Sequence, residues 1–425
     1  MIKPIKYTGQ TAVELFGERE ELTFSVETVV KEIIANVRKN GDAALRDYAA
    51  KFDGYSGGNI QVSEEEFEEA NRSISPEFVQ VLKNSIKNIT EFHKKQLRSG
   101  FEIKDGNRII GQKVIPVDCA GIYVPGGTAA YPSTVLMNAI PAKIAGVRRV
   151  IMATPVKSDG KVRPEVLVAA RMCGVDGVYK TGGAQAIAAM AYGTETVPKV
   201  DKITGPGRDF VAAAKKLVSG VACGIDMIAG PSEILVLADE NANPANVAAD
   251  LLSQAEHDVI ATAILICTSE KIANKVAKEL EQQVEKLERR EIAGKSLKNN
   301  CKIIVVDDLQ TALKLANEYA PEHLELAVEN PFELLQGVKN AGSVFLGYNT
   351  PEAVGDYYAG ANHTLPTSGT AKYASPLSVE DFVKTTQYVY YTPEKLKEAS
   401  DDIIAFANAE GLGAHAKSIA IRVQK

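Results

Sequence analysis

From Ile109 onward, short apolar runs rich in β-branched residues take turns with helical stretches, and this alternation restricts the fold more than any other feature. Runs at Val114–Val117, Val150–Ala153 and Val178–Lys180 are separated by helical patterns at Ser133–Ala145 and Arg163–Met172. A second series follows: Ile234–Leu237, a helix Pro244–His257, a strand Ala261–Cys267, a helix Lys271–Glu288, a strand Ile303–Val306 and a helix Leu309–Tyr319. Strands that alternate with helices form parallel sheets with helices packed on their faces. Two such series predict two doubly wound α/β domains, with a border near Gly230-Pro-Ser232. Upstream, Val29, Ile33, Ile34, Val37 and Leu45 recur at helical spacing, Ser63-Glu-Glu-Glu66 has capping-box form, and Pro76 opens an amphipathic segment ending near Gln96. The N-terminal hundred residues are therefore expected to be helical. At the other end, Pro393–Asn408 reads as a charged amphipathic helix, broken by Gly411-Leu-Gly413 before a short helix through Ile421. That tail is too small for a core of its own and must pack on its own domain or on a partner subunit.

Composition narrows the function. A chain of 425 residues exceeds what one core usually serves. Its net charge of −6, with no basic stretch interleaved with aromatics, argues against nucleic acid as a partner. The longest apolar run, Val259–Cys267, is too short to span a bilayer, and no apolar segment of signal-peptide length follows Met1-Ile-Lys-Pro-Ile-Lys-Tyr7. The expected location is cytoplasmic, without a membrane partner. Five scattered cysteines (Cys119, Cys173, Cys223, Cys267, Cys301) form no Cys-x-x-Cys pair, which argues against a disulfide framework or a cysteine-rich zinc knot. Cys267 and Cys301 read as buried small hydrophobes.

Glycine marks four places where a strand should meet a helix: Gly121-Ile-Tyr-Val-Pro-Gly-Gly127, Gly182-Gly-Ala-Gln185, Gly205-Pro-Gly207 and Gly230-Pro-Ser232. Such loops let backbone N–H groups approach a phosphate at a helix N-terminus, or they are simply tight turns. The one match to Gly-x-Gly-x-x-Ala, at Gly411-Leu-Gly-Ala-His-Ala416, follows a helix and has too little chain after it for a ribose-binding acid, so it is rejected.

Only five histidines occur. His93 ends Ile89-Thr-Glu-Phe92 and reads as a packing or surface residue. The other four, His257, His323, His363 and His415, lie in Gly-, Pro- or acid-rich settings, too far apart to act together unless the fold gathers them. Gln254 and His257 stand three apart on one helix face. Asp356 and His363 occupy a glycine-broken segment, and His415 comes from the tail. This mixed nitrogen and oxygen set suits zinc, although manganese or cobalt would accept it. The neighbours Glu322 and His323, after Pro321, suit an acid–base pair acting on different atoms, or a helix cap.

Taken together, Gly121-Ile-Tyr-Val-Pro-Gly-Gly, Thr134-Val-Leu-Met, Gly182-Gly-Ala-Gln-Ala-Ile-Ala-Ala, Val197-Pro-Lys-Val-Asp-Lys-Ile-Thr-Gly-Pro-Gly, Ala229-Gly-Pro-Ser-Glu and Leu251-Leu-Ser-Gln-Ala-Glu-His resemble the histidinol dehydrogenase family. The resemblance continues in Ala320-Pro-Glu-His-Leu, Gly342-Ser-Val-Phe-Leu-Gly, Gly355-Asp-Tyr, Asn362-His-Thr-Leu-Pro-Thr and Glu410-Gly-Leu-Gly-Ala-His, from about residue 30 to the C-terminus. It implies a zinc- and NAD-dependent oxidation of L-histidinol to L-histidine, the last step of histidine biosynthesis. One zinc per subunit is expected, in an intertwined homodimer with shared active sites. The implied architecture has Rossmann-like domains: an arm over 1–28, a first domain of 29–125 with 233–380, a second of 126–232, and a tail over 381–425 that crosses to the partner subunit.

By matching positions, the resemblance makes Gln254, His257, Asp356 and His415 the metal ligands, with His415 arriving from the other subunit. Glu322 and His323 become the acid–base pair. Ser232, His363 and Glu410 become substrate contacts, a role His323 and the metal ligands share, while Tyr123 and Gln185 contact the cofactor. The chain departs from the family at Arg208, where asparagine commonly contacts the cofactor; arginine there can pair with a pyrophosphate or crowd the site. It also lacks the family's usual proline in the Asp-Val-Ile that follows His257. The competing readings are a metal-dependent hydrolase on the same scaffold and a paralogue without catalysis.

Overall fold

The structure, a computed structural model, describes residues 2–17, 26–126 and 130–423. The chain divides into a larger unit, Met1–Gln96 with Asp118–Phe382, and a smaller one, Leu97–Val117 with Val383–Lys425. In chain order, β1 (Ile5–Lys6) precedes a hairpin of β2 (Phe101–Asp105) and β3 (Arg108–Pro116). Five short strands follow: β4 (Cys119–Tyr123), β5 (Arg149–Thr154), β6 (Gly177–Lys180), β7 (Lys202–Thr204) and β8 (Gly224–Ile225). A further series comprises β9 (Glu233–Ala238), β10 (Thr262–Cys267), β11 (Cys301–Val305), β12 (His323–Ala327) and β13 (Ser343–Leu346), and β14 (Val383–Tyr391) comes last.

The larger unit holds two sheets. One has the order β6-β5-β4-β7-β8, the other β1-β11-β10-β9-β12-β13, and every pairing in both is parallel. The alternation in the sequence is thus realised as mixed α/β structure with parallel sheets. Continuous apolar runs suit strands covered on both faces, and β9 shows how. Ile234 and Val236 join one core, with Val247 and Leu251 of the helix Pro244–Ala255 and Val276 of the helix Glu270–Val284. Leu235 and Leu237 join the opposite core, with Leu313 and Leu315 of the helix Leu309–Tyr319. Each such side chain contributes about 1.5–3 kcal/mol by leaving water. In the five-stranded sheet, the helices Gly183–Tyr192 and Asp209–Val218 share a core with Val30, Ile33 and Val37 of the N-terminal helix Glu27–Tyr48.

The expected capping box at Ser63 is present, and the segment opened by Pro76 is a helix to Lys94. The run Val114–Val117 is a correction. It does not enter the parallel series, because Val114–Pro116 lie in β3, antiparallel to β2 and β14 within the smaller unit. A two-residue turn, Gly106-Asn107 with Gly106 at φ +51°, closes that hairpin. The smaller unit continues into helices Pro393–Ala409 and Gly413–Val423, so Gly411 lies between two helices and Gly413 opens the second; the rejected fingerprint does follow a helix. All five cysteines are free.

Candidate active site

Glu322 and His323 sit at the very start of β12, beside the start of β9. Pro321 therefore leads into a strand, not the expected helix start or cap. Both side chains fasten to one residue of β9. Glu322 Oε2 accepts from the Glu233 N–H (2.9 Å), and His323 Nδ1 lies 2.9 Å from the Glu233 carbonyl oxygen. A carbonyl only accepts, so Nδ1 carries the proton and Nε2 keeps its lone pair. That Nε2 is buried without a partner, 4.0 Å from Asp356 Oδ1. Burial lowers the His323 pKa, with Asp356 opposing the shift, and it raises that of Glu322 well above the usual carboxylate range. His323 is thus neutral near pH 7 and able to take a proton, and Glu322, once ionised, is an unusually strong carboxylate base.

The helix Pro244–Ala255 brings Gln254 to the same place. Gln254 is buried and donates to Glu352, while its Oε1 is left with no partner. His257 follows in the turn after the helix. It is exposed as a residue, yet protein packed around its ring lowers its pKa, Asp356 opposing and His323 and His363 reinforcing. Asp356 arrives on the turn Gly355–Ala359, held to the helix Pro76–Lys94 by Ser85 Oγ donating to the Tyr357 carbonyl (2.7 Å) and Asn88 Nδ2 to that of Tyr358 (2.8 Å). Gly355 makes the approach possible, since a Cβ there would lie 2.5 Å from the Phe345 ring, which stacks on His323. Burial, aided by Glu352, raises Asp356 to about 6.

His363 is half-buried, and burial pushes its pKa down to about 4. Its neighbour Asn362 is anchored to the Met137 carbonyl (2.7 Å) and to buried His93 (3.3 Å), so His93 does pack. Ser232 immediately precedes β9 and is half-buried. The larger unit therefore gathers Gln254, His257, Glu322, His323 and Asp356, with Ser232 and His363 on adjoining segments. Glu410 and His415 belong to the smaller unit, where both are exposed at the junction of its two helices.

Glu352 was missed. It is buried, accepts from Ser253 Oγ (2.9 Å) and Gln254, and bonds Asp356. His323, Glu352 and Asp356 offer ligand atoms within 4.8 Å of one another, a set that overlaps the expected one at Asp356. The only clue was its place four residues before Asp356. Glu325 and Asp250, also missed, share a hydrogen bond behind it. The residues suit a divalent cation: a buried amide oxygen without a donor, a half-buried carboxylate with a raised pKa, and imidazole lone pairs close by.

Three of the four glycine loops lie at the carboxyl ends of the five-stranded sheet, whereas Gly230-Pro-Ser232 leads not into a helix but into β9 of the other sheet. Tyr123, the last residue of β4, is buried, and its hydroxyl accepts from the Gly183 N–H (3.0 Å); burial pushes its pKa up to about 12. Gln185 is buried in the helix that Gly183 opens. Arg208 caps the next helix, exposed, with its guanidinium on the Asp258 carboxylate. A cleft of about 370 Å³ at the ends of β4 and β5 is lined by Phe52, Asp53, Gly126, Thr154, Pro155 and Lys157. Gly127 of the first loop lies outside the described residues.

The profile of the Histidinol dehydrogenase family matches residues 17–423. The chain belongs to the histidinol dehydrogenase family. It is 54% identical over 394 residues to histidinol dehydrogenase of Clostridium acetobutylicum, covering 92% of this chain and 91% of that one. It is 50% identical over 428 residues to that of Lactococcus lactis, covering 99% of each. The crystal structure of histidinol dehydrogenase from Elizabethkingia anophelis matches with a TM-score of 0.93 at 37% identity, over 98% of this chain and 97% of that one. A histidinol dehydrogenase is an oxidoreductase, and among the described residues no helix is long and apolar enough to cross a membrane.

Proposed function

We propose that this histidinol dehydrogenase carries out the four-electron oxidation of L-histidinol to L-histidine through the aldehyde, the closing step of histidine biosynthesis, with zinc and two NAD+. The observation that carries the reading is a pair of buried atoms left unpartnered, His323 Nε2, 4.0 Å from Asp356, and Gln254 Oε1, whose side chain shares Glu352 with Asp356. Gln254, His257 and Asp356 would hold the zinc, with His415 of a second copy completing the set. Zinc supplies an anchor for the amine and imidazole nitrogens of the substrate, and NAD+ supplies hydride acceptance at each oxidation.

His323 Nε2 takes the alcohol proton as the hydride leaves. Glu322 then takes a proton from the water as it adds to the aldehyde, whose oxygen is protonated in turn; loss of a second hydride and a proton from this hydrate gives the carboxylic acid, which ionises. Each oxidation removes one hydride and one proton, and water provides the new oxygen. Ser232, His363 and Glu410 orient the substrate, the Glu410 carboxylate suiting its cationic amine. Tyr123 and Gln185 bind the cofactor, beside Arg208, whose guanidinium is held by Asp258. Exposed Phe406, Leu412 and Ile421 on the smaller unit support a homodimer with shared sites. Membership in an oxidoreductase family leaves the hydrolase reading without support.

The test is metal content together with NADH absorbance on the purified protein. Zinc-loaded enzyme should form two NADH per histidinol. Zinc-loaded protein that forms none would overturn the proposal.

A further inference from the structure

Lys215 and Asp226 form an ion pair at 2.5 Å whose side chains are 2% and 0% exposed, far below any surface where charge would be solvated. Both partners also hold Gly205, the first glycine of the Gly205-Pro-Gly207 loop. Lys215 Nζ donates to the Gly205 carbonyl (2.8 Å), and the Gly205 N–H donates to Asp226 Oδ2 (2.8 Å). Lys215 comes from the helix that begins just after the loop, and Asp226 from the residue just after β8.

A buried ion pair is a poor device for stability alone, because apolar residues of similar volume often serve as well or better. An apolar pair cannot, however, satisfy the two backbone groups of a glycine held at φ +111°. Gly205 in turn rests on β4 so closely that a Cβ would lie 2.1 Å from the Tyr123 carbonyl oxygen. Tyr123 passes the constraint on, since its hydroxyl receives the Gly183 N–H. Three glycine loops at one sheet edge are thereby tied to a single buried charge pair.

We propose that Lys215 and Asp226 are positioning residues for the dinucleotide, clamping Gly205 so that the three loops present one rigid binding edge. The proposal rests on the reading that this edge receives NAD+. The experiment uses full-length, zinc-loaded protein and first measures histidinol-dependent NADH formation by the wild type; its absence counts against the function, not the clamp. The double variant Lys215→Met/Asp226→Leu then removes both charges without stranding either. It is expected to fold, to keep its zinc and its KM for histidinol, and to show a KM for NAD+ raised about 10- to 100-fold. Asp226→Asn, which preserves an acceptor for the Gly205 N–H, should recover part of that loss. An unchanged KM for NAD+ in a folded double variant overturns the proposal, as does an equal loss of zinc and histidinol binding. Should the double variant not fold, amide exchange on the wild type decides. A slowly exchanging Gly205 N–H that Asp226→Ala accelerates supports the clamp, and fast exchange in the wild type, or exchange that Asp226→Ala leaves slow, refutes it.

Discussion

In both parallel sheets of the larger unit, leaving aside β1 at the edge of the six-stranded one, the chain lays a first strand in the middle, adds two neighbours on one side, and returns to add two on the other. The five-stranded sheet does this with β4 then β7, the six-stranded sheet with β9 then β12. Each has its reversal of order between those middle strands, where crevices form in such sheets. The residues proposed for the cofactor and for catalysis fall at opposite ends of the two. Tyr123 and Gly205 lie at the carboxyl ends of β4 and β7, whereas Ser232 and Glu322-His323 lie at the amino ends of β9 and β12. The difference is electrostatic. In a strand–helix–strand unit the helix runs back along the sheet, so carboxyl ends collect helix N-termini and amino ends collect helix C-termini. The first edge, with the helices Gly183–Tyr192 and Asp209–Val218 starting there, suits a pyrophosphate. The second receives the C-terminus of Pro244–Ala255 with Gln254 and His257, and suits a cation.

The sharpest way to break this division is at His323. Replacing it with Ala removes the group assigned to take the alcohol proton, and kcat should fall about 10²- to 10⁴-fold. The KM for NAD+, a property of the other sheet edge, should stay within about twofold. Steady-state kinetics with each substrate varied would check both, and a comparable rise in the KM for NAD+ would merge the two edges into one.

Glu322→Gln should act next most strongly and separate the two oxidations. Its amide oxygen can still accept from Glu233, so geometry is kept while the base is lost. Oxidation supplied with the aldehyde should fall about 10²-fold or more, and the alcohol step much less; equal losses would remove Glu322 from its role. The pH dependence gives the same test a sign. His323 works only when neutral, and burial lowers its pKa from 6.5, so the residual alcohol oxidation of the variant should decline with acid only below pH 6.5. A decline centred above that value would implicate another group.

How far the sequence revealed these edges depended on which physical signal each element carries. Helix and strand periods are local, and the apolar runs of β9, β10 and β11 identify a buried parallel sheet unaided. Val114–Val117 is equally apolar, but four residues do not state which strand will pair with them or in which direction. The Gly106-Asn107 turn, overlooked, was the better guide. The histidines, Gln254 and Asp356 stood out through scarcity and through resemblance to a family. Glu352, Glu325 and Asp250 did not, because a buried carboxylate looks in sequence like any surface one. Nothing in the motifs said that one sheet would use its amino ends; that follows only once Glu322 and His323 are seen fastened to Glu233.

Gly205→Ala should disturb the carboxyl edge alone. The added Cβ meets the Tyr123 carbonyl in a backbone region that alanine adopts at a cost of about 1–3 kcal/mol. The melting temperature should fall and the KM for NAD+ should rise about tenfold, while bound zinc and the KM for histidinol hold. Loss of zinc in a folded variant would show that the edges are not independent.

The smallest effect belongs to an ion pair that spans the two regions directly. Arg208 follows the Gly205-Pro-Gly207 loop, Asp258 follows His257, and their side chains meet although Arg208 is 85% exposed. An exposed pair of this kind contributes about 0–1 kcal/mol and is screened by salt. Arg208→Asn should therefore change stability by less than about 1 kcal/mol. A double-mutant cycle with Asp258→Asn, read by thermal melts at low and high salt, would isolate the pair. If Arg208 is satisfied by Asp258 and does not crowd the cofactor, the KM for NAD+ should move less than about threefold, because only a contact worth less than 1 kcal/mol has changed. A large fall in KM would mean that the arginine obstructs the edge, and a large rise that it grips the pyrophosphate, with the ion pair giving way when the dinucleotide binds.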